Sequence, residues 1–307
     1  MNDPDLTVRV GSLELPNPVM TASGTAGHGS ELGAYIDLAE LGAVVVKSLS
    51  PFPWEGNPAP RVHQTAAGMI NAVGLQNPGV AAWRTDELPE LVGTGARVVA
   101  SIWGRSVGDY RAAAEQLADA PGVVAVEANI SCPNLEERGD MFAHAPDSTA
   151  AAIEAAGACG LPVWAKLSPN VTDIVSIARA ALDAGAEALT LSNTVMGLVI
   201  DPTTRRPVLG NGGGGLSGPA MRPVAVRAVY DVTAALGPVP IVGVGGVAAA
   251  EHAVEFLAAG AAAIQVGTAT FADPKASTLV LRGLREWCAE RGVHEISSLT
   301  GAAHDQH

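Results

Sequence analysis

The sequence is short of cysteine, of aromatic residues and of positive charge, and each shortage excludes a class of protein. The three cysteines, Cys132, Cys159 and Cys288, are too few and too scattered for a disulfide framework or a Cys-x-x-Cys metal site. The net charge of −13 argues against nucleic acid or an anionic membrane as a partner. Aromatic residues make up only 4% of the chain, whereas 35 residues are glycine, and this composition favours many tight turns over a β-sandwich.

Long apolar runs are also missing. No run approaches the ~18 residues that a transmembrane helix needs, and the first residues, MNDPDLTVRVGSLELPNP, contain neither the basic start nor the apolar middle of a secretory signal. We therefore expect a cytoplasmic protein. The hydrophobic content of 48% can still build a large core, and α/β barrels of this length fold as one domain. We expect one domain that covers residues 1–307.

Short apolar runs alternate with amphipathic segments along nearly the whole chain. Eight runs have the length and composition of buried strands: Val19–Ala22, Val44–Lys47, Val98–Ile102, Val123–Asn129, Pro162–Leu167, Ala188–Asn193, Pro240–Val244 and Ala262–Val266. Amphipathic segments predict helices at Glu31–Leu41, Tyr110–Ala120, Ile174–Ala184, Pro223–Leu236, Ala249–Ala259 and Ala276–Arg291. Eight strand–helix units that close on themselves form a TIM (β/α)8 barrel, and this is the α/β fold that we predict. A doubly wound open sheet is the alternative.

In a TIM barrel the chemistry takes place on the loops that follow the strands. The loop after the second strand runs from Ser48 to about Gln76, and the loop after the sixth runs from Thr194 to Pro219. A third long loop follows the fourth strand. Loops of this length in a compact domain are usually lids or binding loops, although surface insertions without function remain an alternative.

Polar residues end several of the predicted strands: Lys47, Ser101, Asn129, Lys166, Ser192 and Asn193. The seventh and eighth strands end instead in glycine-rich turns, GVGGV (Gly243–Val247) and VGTATF (Val266–Phe271). Backbone amides of such turns bind anions, and the loops after strands 7 and 8 are the usual phosphate site of this fold. No cluster of histidine or carboxylate occurs among the strand ends, so we expect no metal site.

The fourth run ends in NISCPN, residues Asn129–Asn134. Pro133 cannot continue a strand, so the thiol of Cys132 is predicted at the carboxyl end of the strand, between two asparagines. From this segment alone, a catalytic thiol and a buried structural cysteine are both consistent with the pattern. Cys159 and Cys288 lie in apparent helices, and we interpret them as structural.

Nine segments, in order along almost the entire chain, resemble the class 1 dihydroorotate dehydrogenases, flavoenzymes of pyrimidine synthesis, and within them the 1B type. They are ASGTAG (Ala22–Gly27), EGNPAPRV (Glu55–Val62), GMINAVGLQNPG (Gly68–Gly79), NISCPN (Asn129–Asn134), KLSPNVTDI (Lys166–Ile174), SNTVMG (Ser192–Gly197), GGLSGPA (Gly214–Ala220), GVGGV (Gly243–Val247) and VGTATFADP (Val266–Pro274). Class 2 relatives resemble the chain less, because they use serine as the base and carry an N-terminal membrane segment.

The resemblance implies FMN as cofactor and the oxidation of dihydroorotate to orotate. The implied FMN residues are Ala22, Ser23, Lys47, Ser48, Ser101, Asn129, Lys166, Ser192 and Gly218, with Gly245, Gly246, Gly267 and Thr268 at the phosphate. The implied pyrimidine residues are Lys47, Asn71, Gly74, Leu75, Asn129, Asn134, Asn193 and Thr194. Cys132 would be the catalytic base for the C5 proton, and Lys47 would stabilise developing negative charge during catalysis.

Three segments depart from the family pattern. The third strand ends in SIWG (Ser101–Gly104) where an asparagine is usual, Lys47 is followed by Ser48 instead of glycine, and the segment Leu135–Pro146 is only loosely similar. A related flavoenzyme that acts on dihydrouracil, a flavin-free barrel with a Schiff base at Lys166, and an inactive binding scaffold remain alternatives.

The 1B type passes electrons to NAD through a second subunit that carries FAD and an iron–sulfur cluster. This chain has no cysteine cluster that could hold such a centre, so the resemblance implies an electron-transfer partner. It also implies a homodimer core. Direct use of a soluble acceptor such as fumarate, as in 1A relatives, is the alternative.

Overall fold

The computed structural model describes residues 3–131 and 142–304. Two of the predicted site residues, Cys132 and Asn134, lie outside the described residues, and so does most of the loop predicted after the fourth strand.

An eight-stranded parallel sheet forms the centre of the fold. Its strands are β1 (Val19–Thr21), β2 (Val44–Val45), β3 (Val98–Ile102), β4 (Val123–Asn129), β5 (Val163–Lys166), β6 (Ala188–Leu191), β7 (Ile241–Val244) and β8 (Ala263–Val266). Their order around the sheet is β1-β8-β7-β6-β5-β4-β3-β2. A parallel bridge between Met20 and Ala43 brings β1 against β2. The sheet therefore closes, and the predicted TIM barrel is confirmed with a strand in each of the eight runs.

A side chain reinforces the seam where β1 meets β2. The hydroxyl of Thr21 accepts a hydrogen bond from the backbone N–H of Val45 at 2.8 Å and donates one to the carbonyl of Val45 at 3.2 Å. Because β2 contains only 2 residues, backbone pairing alone is sparse there. Thr21 thus satisfies both polar groups of a buried strand residue that would otherwise lack partners.

Helices surround the barrel in the expected alternation. They are α1 (Val80–Asp86), α2 (Leu88–Gly93), α3 (Val107–Leu117), α4 (Pro146–Ala156), α5 (Ile174–Asp183), α6 (Arg222–Leu236), α7 (Ala250–Ala259), α8 (Ala269–Ala272) and α9 (Ala276–Arg291). Short 3-10 helices occur at Glu31–Ala34, Leu38–Glu40, Phe142–His144, Gly157–Cys159, Pro219–Met221 and Ile296–Leu299. No helix in the described part of the chain is long and apolar enough to cross a membrane.

The predicted helix over Glu31–Leu41 is wrong, because two 3-10 segments replace it. Asp37 has an extended backbone, and its carboxylate accepts a hydrogen bond from the N–H of Ala39 at 2.9 Å. An aspartate side chain that binds a nearby backbone N–H competes with the hydrogen bonds of a continuous helix. Asp37 therefore ends the first segment and caps the start of a second one. The apolar residues of the segment are spaced as predicted, but they belong to two short 3-10 helices and not to one α-helix.

The two longest predicted loops pair with each other. Strands Val62–Thr65 and Gly68–Asn71, from the loop after β2, join strands Val195–Gly197 and Gly214–Ser217, from the loop after β6, in one antiparallel four-stranded sheet. We call it the cover sheet. Two further hairpins pair Val8–Val10 with Leu13–Leu15 and Ile200–Asp201 with Arg206–Pro207.

The core follows the barrel wall, and strand residues are buried on both faces, as parallel strands require. Cys159 and Cys288 belong to this core. Burial raises the pKa of both thiols, so neither is poised as a nucleophile. Inside the apolar wall lies a small polar group of fully buried side chains that includes Glu127, Thr190 and Gln265.

Candidate active site

A cavity of about 310 Å³ lies between the carboxyl ends of the barrel strands and the cover sheet, and its size is in the range of ligand pockets. The predicted cofactor residues on its wall are Ala22, Ser23, Lys47, Ser48, Asn129, Lys166, Ser192, Gly218, Gly245, Gly246, Gly267 and Thr268. The predicted substrate residues on its wall are Lys47, Asn71, Gly74, Leu75, Asn129, Asn193 and Thr194. Residues that are far apart in the sequence are therefore brought around one space.

Ser101 does not reach the cavity wall. It is fully buried in β3, and its hydroxyl lies 2.9 Å from the hydroxyl of Ser48, which does line the cavity. Ser101 therefore lies behind Ser48 as seen from the cavity, and its assignment as an FMN contact stays a prediction.

Trp103, the other departure in the third strand, packs away from the cavity wall. Its ring lies edge-to-face with Phe52 and Trp54, with centroids 6.3 and 6.0 Å away. The guanidinium of Arg105 lies 4.2 Å from the centre of the Phe52 ring, a cation–π distance. The unusual tryptophan is therefore accommodated in an aromatic cluster at the start of the loop after β2.

A chain of side-chain hydrogen bonds orients the amides of the cavity. The amide of Asn129 donates to the hydroxyl of Ser48 at 3.1 Å, and its oxygen accepts from the amide of Asn193 at 3.2 Å. The oxygen of Asn193 in turn accepts from the backbone N–H of Thr194 at 2.8 Å. Because every link has a defined donor and acceptor, the amides offer a fixed pattern of both kinds to a ring with carbonyl and N–H groups.

Lys166 ends β5 and forms the cavity floor. Its ammonium donates to the hydroxyl of Ser23 at 3.0 Å and to the Oε1 atoms of Glu127 and Gln265 at 3.3 and 3.4 Å. Lys166 is only 4% exposed and Glu127 is fully buried. A buried charge is stable only when it is paired and hydrogen-bonded, and this arrangement meets that condition.

Lys47 is the second cation of the cavity, and its surroundings differ. Within residues 3–131 and 142–304, Lys47 has no ion pair and no side-chain hydrogen bond. Burial lowers the pKa of its ammonium, and the nearby guanidinium of Arg61 lowers it further. A half-buried cation with no anionic partner among the described residues is stabilised by an anionic ligand, so Lys47 marks a place where the cavity favours negative charge.

Glycine-rich turns form the third side of the cavity. Gly245 and Gly246 follow β7 with φ of 136° and 73°, and Gly267 follows β8. The hydroxyl of Thr268 donates to the hydroxyl of Ser217 at 2.8 Å, which ties the turn after β8 to the cover sheet. Turns of this kind expose backbone N–H groups to a ligand and suit a phosphate.

His28 lies near Lys47 on a second, more open pocket that also contains Trp54 and Asn77. Its Nε2 atom is buried and has no hydrogen-bond partner among the described residues. Burial, and secondly the charge of Lys47, lower the pKa of His28 from 6.5 to about 4. The imidazole is therefore neutral at physiological pH and adds no charge to the site.

We expect His28 to make the protein less stable as the pH falls. Because its pKa is lower in the folded state, the unfolded state binds more protons between pH 6.5 and 4, and stability is lost as the pH falls through that window. Between pH 7 and pH 5 the free energy of unfolding should fall by about 1 to 2 kcal/mol, after allowance for solvent screening. His28→Gln should remove that part of the slope in urea unfolding, whereas His63→Gln, at an exposed histidine, is the matched control. Equal slopes for wild type and His28→Gln would contradict the assignment.

Sequence reasoning missed several residues of the site. Met69, Met221 and Phe271 contribute apolar wall, and Glu127 and Gln265 support Lys166 from below. Glu127 could have been found, because it stands two positions before Asn129 on β4 and so faces the same side of the strand. Among the described residues there is no group of three or more histidine, cysteine or carboxylate side chains that could hold a metal ion.

Comparison with known proteins gives consistent matches over nearly the full length. The family model described as dihydroorotate dehydrogenase matches residues 5–287. A protein of Desulforudis audaxviator named dihydroorotate dehydrogenase B (NAD(+)), catalytic subunit, is 51% identical over 298 residues, which cover 97% of both chains. Proteins of the same name from Trichlorobacter lovleyi and Pelobacter propionicus are 47% and 46% identical over 300 residues, which cover 97% of this chain and 98% of theirs.

Proposed function

The chain belongs to the dihydroorotate dehydrogenase family, and from this premise we propose that it oxidises dihydroorotate to orotate with FMN bound under the cover sheet. The observation that carries the proposal is the single cavity. Two lysines, a set of oriented amides and two glycine-rich turns all line it. Each of these groups matches a different part of FMN or of dihydroorotate.

The described residues fit FMN. A Cβ on Gly246 would lie 2.8 Å from the carbonyl of Gly218, so the turns that meet there leave room for backbone and not for side chains. Exposed N–H groups in such turns would hold the phosphate. Ser23 and Lys166 at the floor, with Ser192 and Asn129 on the wall, would hold the ring. FMN supplies the hydride acceptor when it is bound.

The protein's own residues would bind and orient the pyrimidine. Dihydroorotate must lose a proton from C5 and a hydride from C6. Asn71, Asn193 and Thr194 would hydrogen-bond its carbonyl and N–H groups, and Lys47 would pair with its negative charge. Cys132 would take the C5 proton as the general base. Orienting groups on both sides of a ring lower the barrier because they hold it in a reactive geometry before the reaction begins.

Lys47 also bears on the choice of substrate. Dihydrouracil lacks the carboxylate of dihydroorotate, so it would leave Lys47 half-buried and with no anion among the residues that the structure describes. The rival function as a dihydrouracil enzyme is therefore disfavoured. The Schiff-base alternative is also disfavoured, because the Lys166 ammonium is paired with Glu127 and a charged amine is not a nucleophile.

The first experiment is the absorption spectrum of the purified protein, followed by anaerobic addition of each substrate. We expect yellow protein with bound FMN, which dihydroorotate bleaches and an equal concentration of dihydrouracil does not. Protein without flavin, or faster bleaching by dihydrouracil, would overturn the proposal.

We propose that electrons leave through a partner subunit that carries FAD and an iron–sulfur cluster. The relatives reported above are named NAD(+)-type catalytic subunits, and the three cysteines of this chain are too dispersed to hold a cluster. The isolated protein should reduce artificial dyes with dihydroorotate but reduce NAD very slowly, and the partner should restore NAD reduction. Brisk NAD reduction by the chain alone would exclude the partner, and brisk fumarate reduction would indicate 1A behaviour.

We further propose one domain over residues 1–307, a homodimer core and a cytoplasmic location. A single cooperative unfolding transition and a light-scattering mass of twice 31.0 kDa are the expected results for the first two. Fractionation of cells would test the third.

A further inference from the structure

We infer that Glu127 is a positioning residue, which holds the Lys166 ammonium at the cavity floor and so controls the charge that faces the flavin. The inference rests on the proposed function in one respect only, namely that FMN binds in the cavity. It requires no assumption about the substrate or the electron acceptor.

Three hydrogen bonds fix the ammonium of Lys166. A lysine ammonium has three hydrogen-bond donors. Here one points to the hydroxyl of Ser23, which lines the cavity, and two point down to Glu127 and Gln265. Lys166 is thus anchored from below at two points, and its charged end is kept beside the cavity instead of turning away.

Only a carboxylate satisfies the contacts of residue 127. Its Oε2 accepts from the hydroxyl of Thr190 at 3.0 Å and from the amide of Gln265 at 2.7 Å, while its Oε1 accepts from Lys166. A carboxylate accepts at both oxygens, whereas a carboxamide donates on one side. Glutamine at this position would therefore present an N–H group either to the donating amide of Gln265 or to the ammonium.

Glu127 and Gln265 act on Lys166 together. Because the Gln265 amide donates to Glu127, its oxygen is turned towards Lys166 and accepts from it. Glu127 thus fixes both lower acceptors of the ammonium, one directly and one through Gln265. Its loss would remove the ionic partner of Lys166 among the described residues and release the second acceptor as well.

The consequence lies in the energetics of the bound flavin. The flavin gains electrons on reduction, so a cation fixed beside it favours the reduced form. A lysine that is displaced because its buried counter-ion is missing gives less of this stabilisation. Glu127, although it never reaches the cavity wall, would therefore raise both the affinity for FMN and its reduction potential.

The test is a double-mutant cycle with Glu127→Gln, Lys166→Met and the double variant, read out as the FMN dissociation constant of the apoprotein by fluorescence quenching. Glu127→Gln should weaken FMN binding about tenfold or more, the usual effect of losing a charge-assisted hydrogen bond. In the Lys166→Met background the same change should have little effect, because Glu127 then has no ammonium to position. The double variant removes both buried charges together, so it is the form best able to fold if a single variant does not.

A second readout is the reduction potential of bound FMN. It should fall in Glu127→Gln and fall less in Glu127→Asp, which keeps the charge on a shorter side chain. An unchanged dissociation constant and potential in Glu127→Gln would overturn the inference, and so would an equal loss of affinity in both backgrounds, since Glu127 would then act without Lys166. Wild-type protein that binds no FMN would instead refute the proposed function.

Discussion

In the Cys132→Ala variant, FMN should remain bound while the reduction of the flavin by dihydroorotate slows by about 10²-fold or more, the usual contribution of a positioned base. Cys132 lies outside the described residues. Its assignment rests on the sequence and on the position of its neighbours. β4 ends at Asn129, and Ser131, one peptide bond before Cys132, lines the cavity.

Removal of the base affects proton transfer and not flavin binding, because no FMN contact is assigned to Cys132. Cys132→Ser should also be slow at neutral pH, since a hydroxyl is far less acidic than a thiol with a pKa near ~8.5. The measurement is anaerobic stopped-flow bleaching of the flavin by dihydroorotate. Cys288→Ala removes a buried thiol of α9 and is the control. A wild-type rate in Cys132→Ala would end the assignment.

Gly246→Val should yield colourless or weakly coloured protein, with FMN affinity reduced about 10²-fold, which corresponds to roughly 3 kcal/mol of binding free energy. Gly246 has a φ of 73°, and an added Cβ would lie 2.8 Å from the carbonyl of Gly218 and 2.9 Å from the Cβ of Arg222. The Cβ thus collides with the neighbouring turn. Two turns of the cavity wall would move apart, and both carry predicted FMN contacts.

The control for Gly246→Val is Gly292→Val. Gly292 has a similar φ of 67° at the end of α9, but no atom lies within 4 Å of an added Cβ. This variant carries the same left-handed strain without a collision, so it should lose stability and keep its FMN. The measurement is the FMN content per protein molecule in the two variants. A full complement in Gly246→Val would show that the phosphate lies elsewhere.

The barrel could be predicted because its strands are buried on both faces. Such strands are continuous apolar runs, for example Val98–Ile102, and they stand out from a chain with few other apolar runs. Polar residues at their carboxyl ends interrupt the pattern where the fold keeps its ligands. The same logic located Lys47, Asn129 and Lys166 on one cavity without any contact information.

Other features of the structure depend on contacts between distant parts of the sequence, and a local sequence pattern does not show such contacts. The cover sheet was missed because Gly214–Ser217 has the composition of a flexible loop, and its partner strand, Gly68–Asn71, lies far away in the sequence. Glu127 was missed because a charged residue inside an apolar run is usually interpreted as solvent-exposed. Its partners come from three other strands. Strand position alone does not tell which of two layers a side chain occupies, so the sequence did not show that Ser101 lies behind Ser48.

The cover sheet also determines when the cavity can exist. Its central contact joins Asn71 to the carbonyl of Gly215, 144 positions along the chain, and so wide a separation makes the contact costly to form before the intervening chain is compact. During synthesis, residue 215 leaves the ribosome only after the first six barrel strands have been made. A nascent chain therefore has no cover sheet over the carboxyl ends of its strands until late in translation. Ligand capture is consequently a final event of folding that cannot guide the early steps.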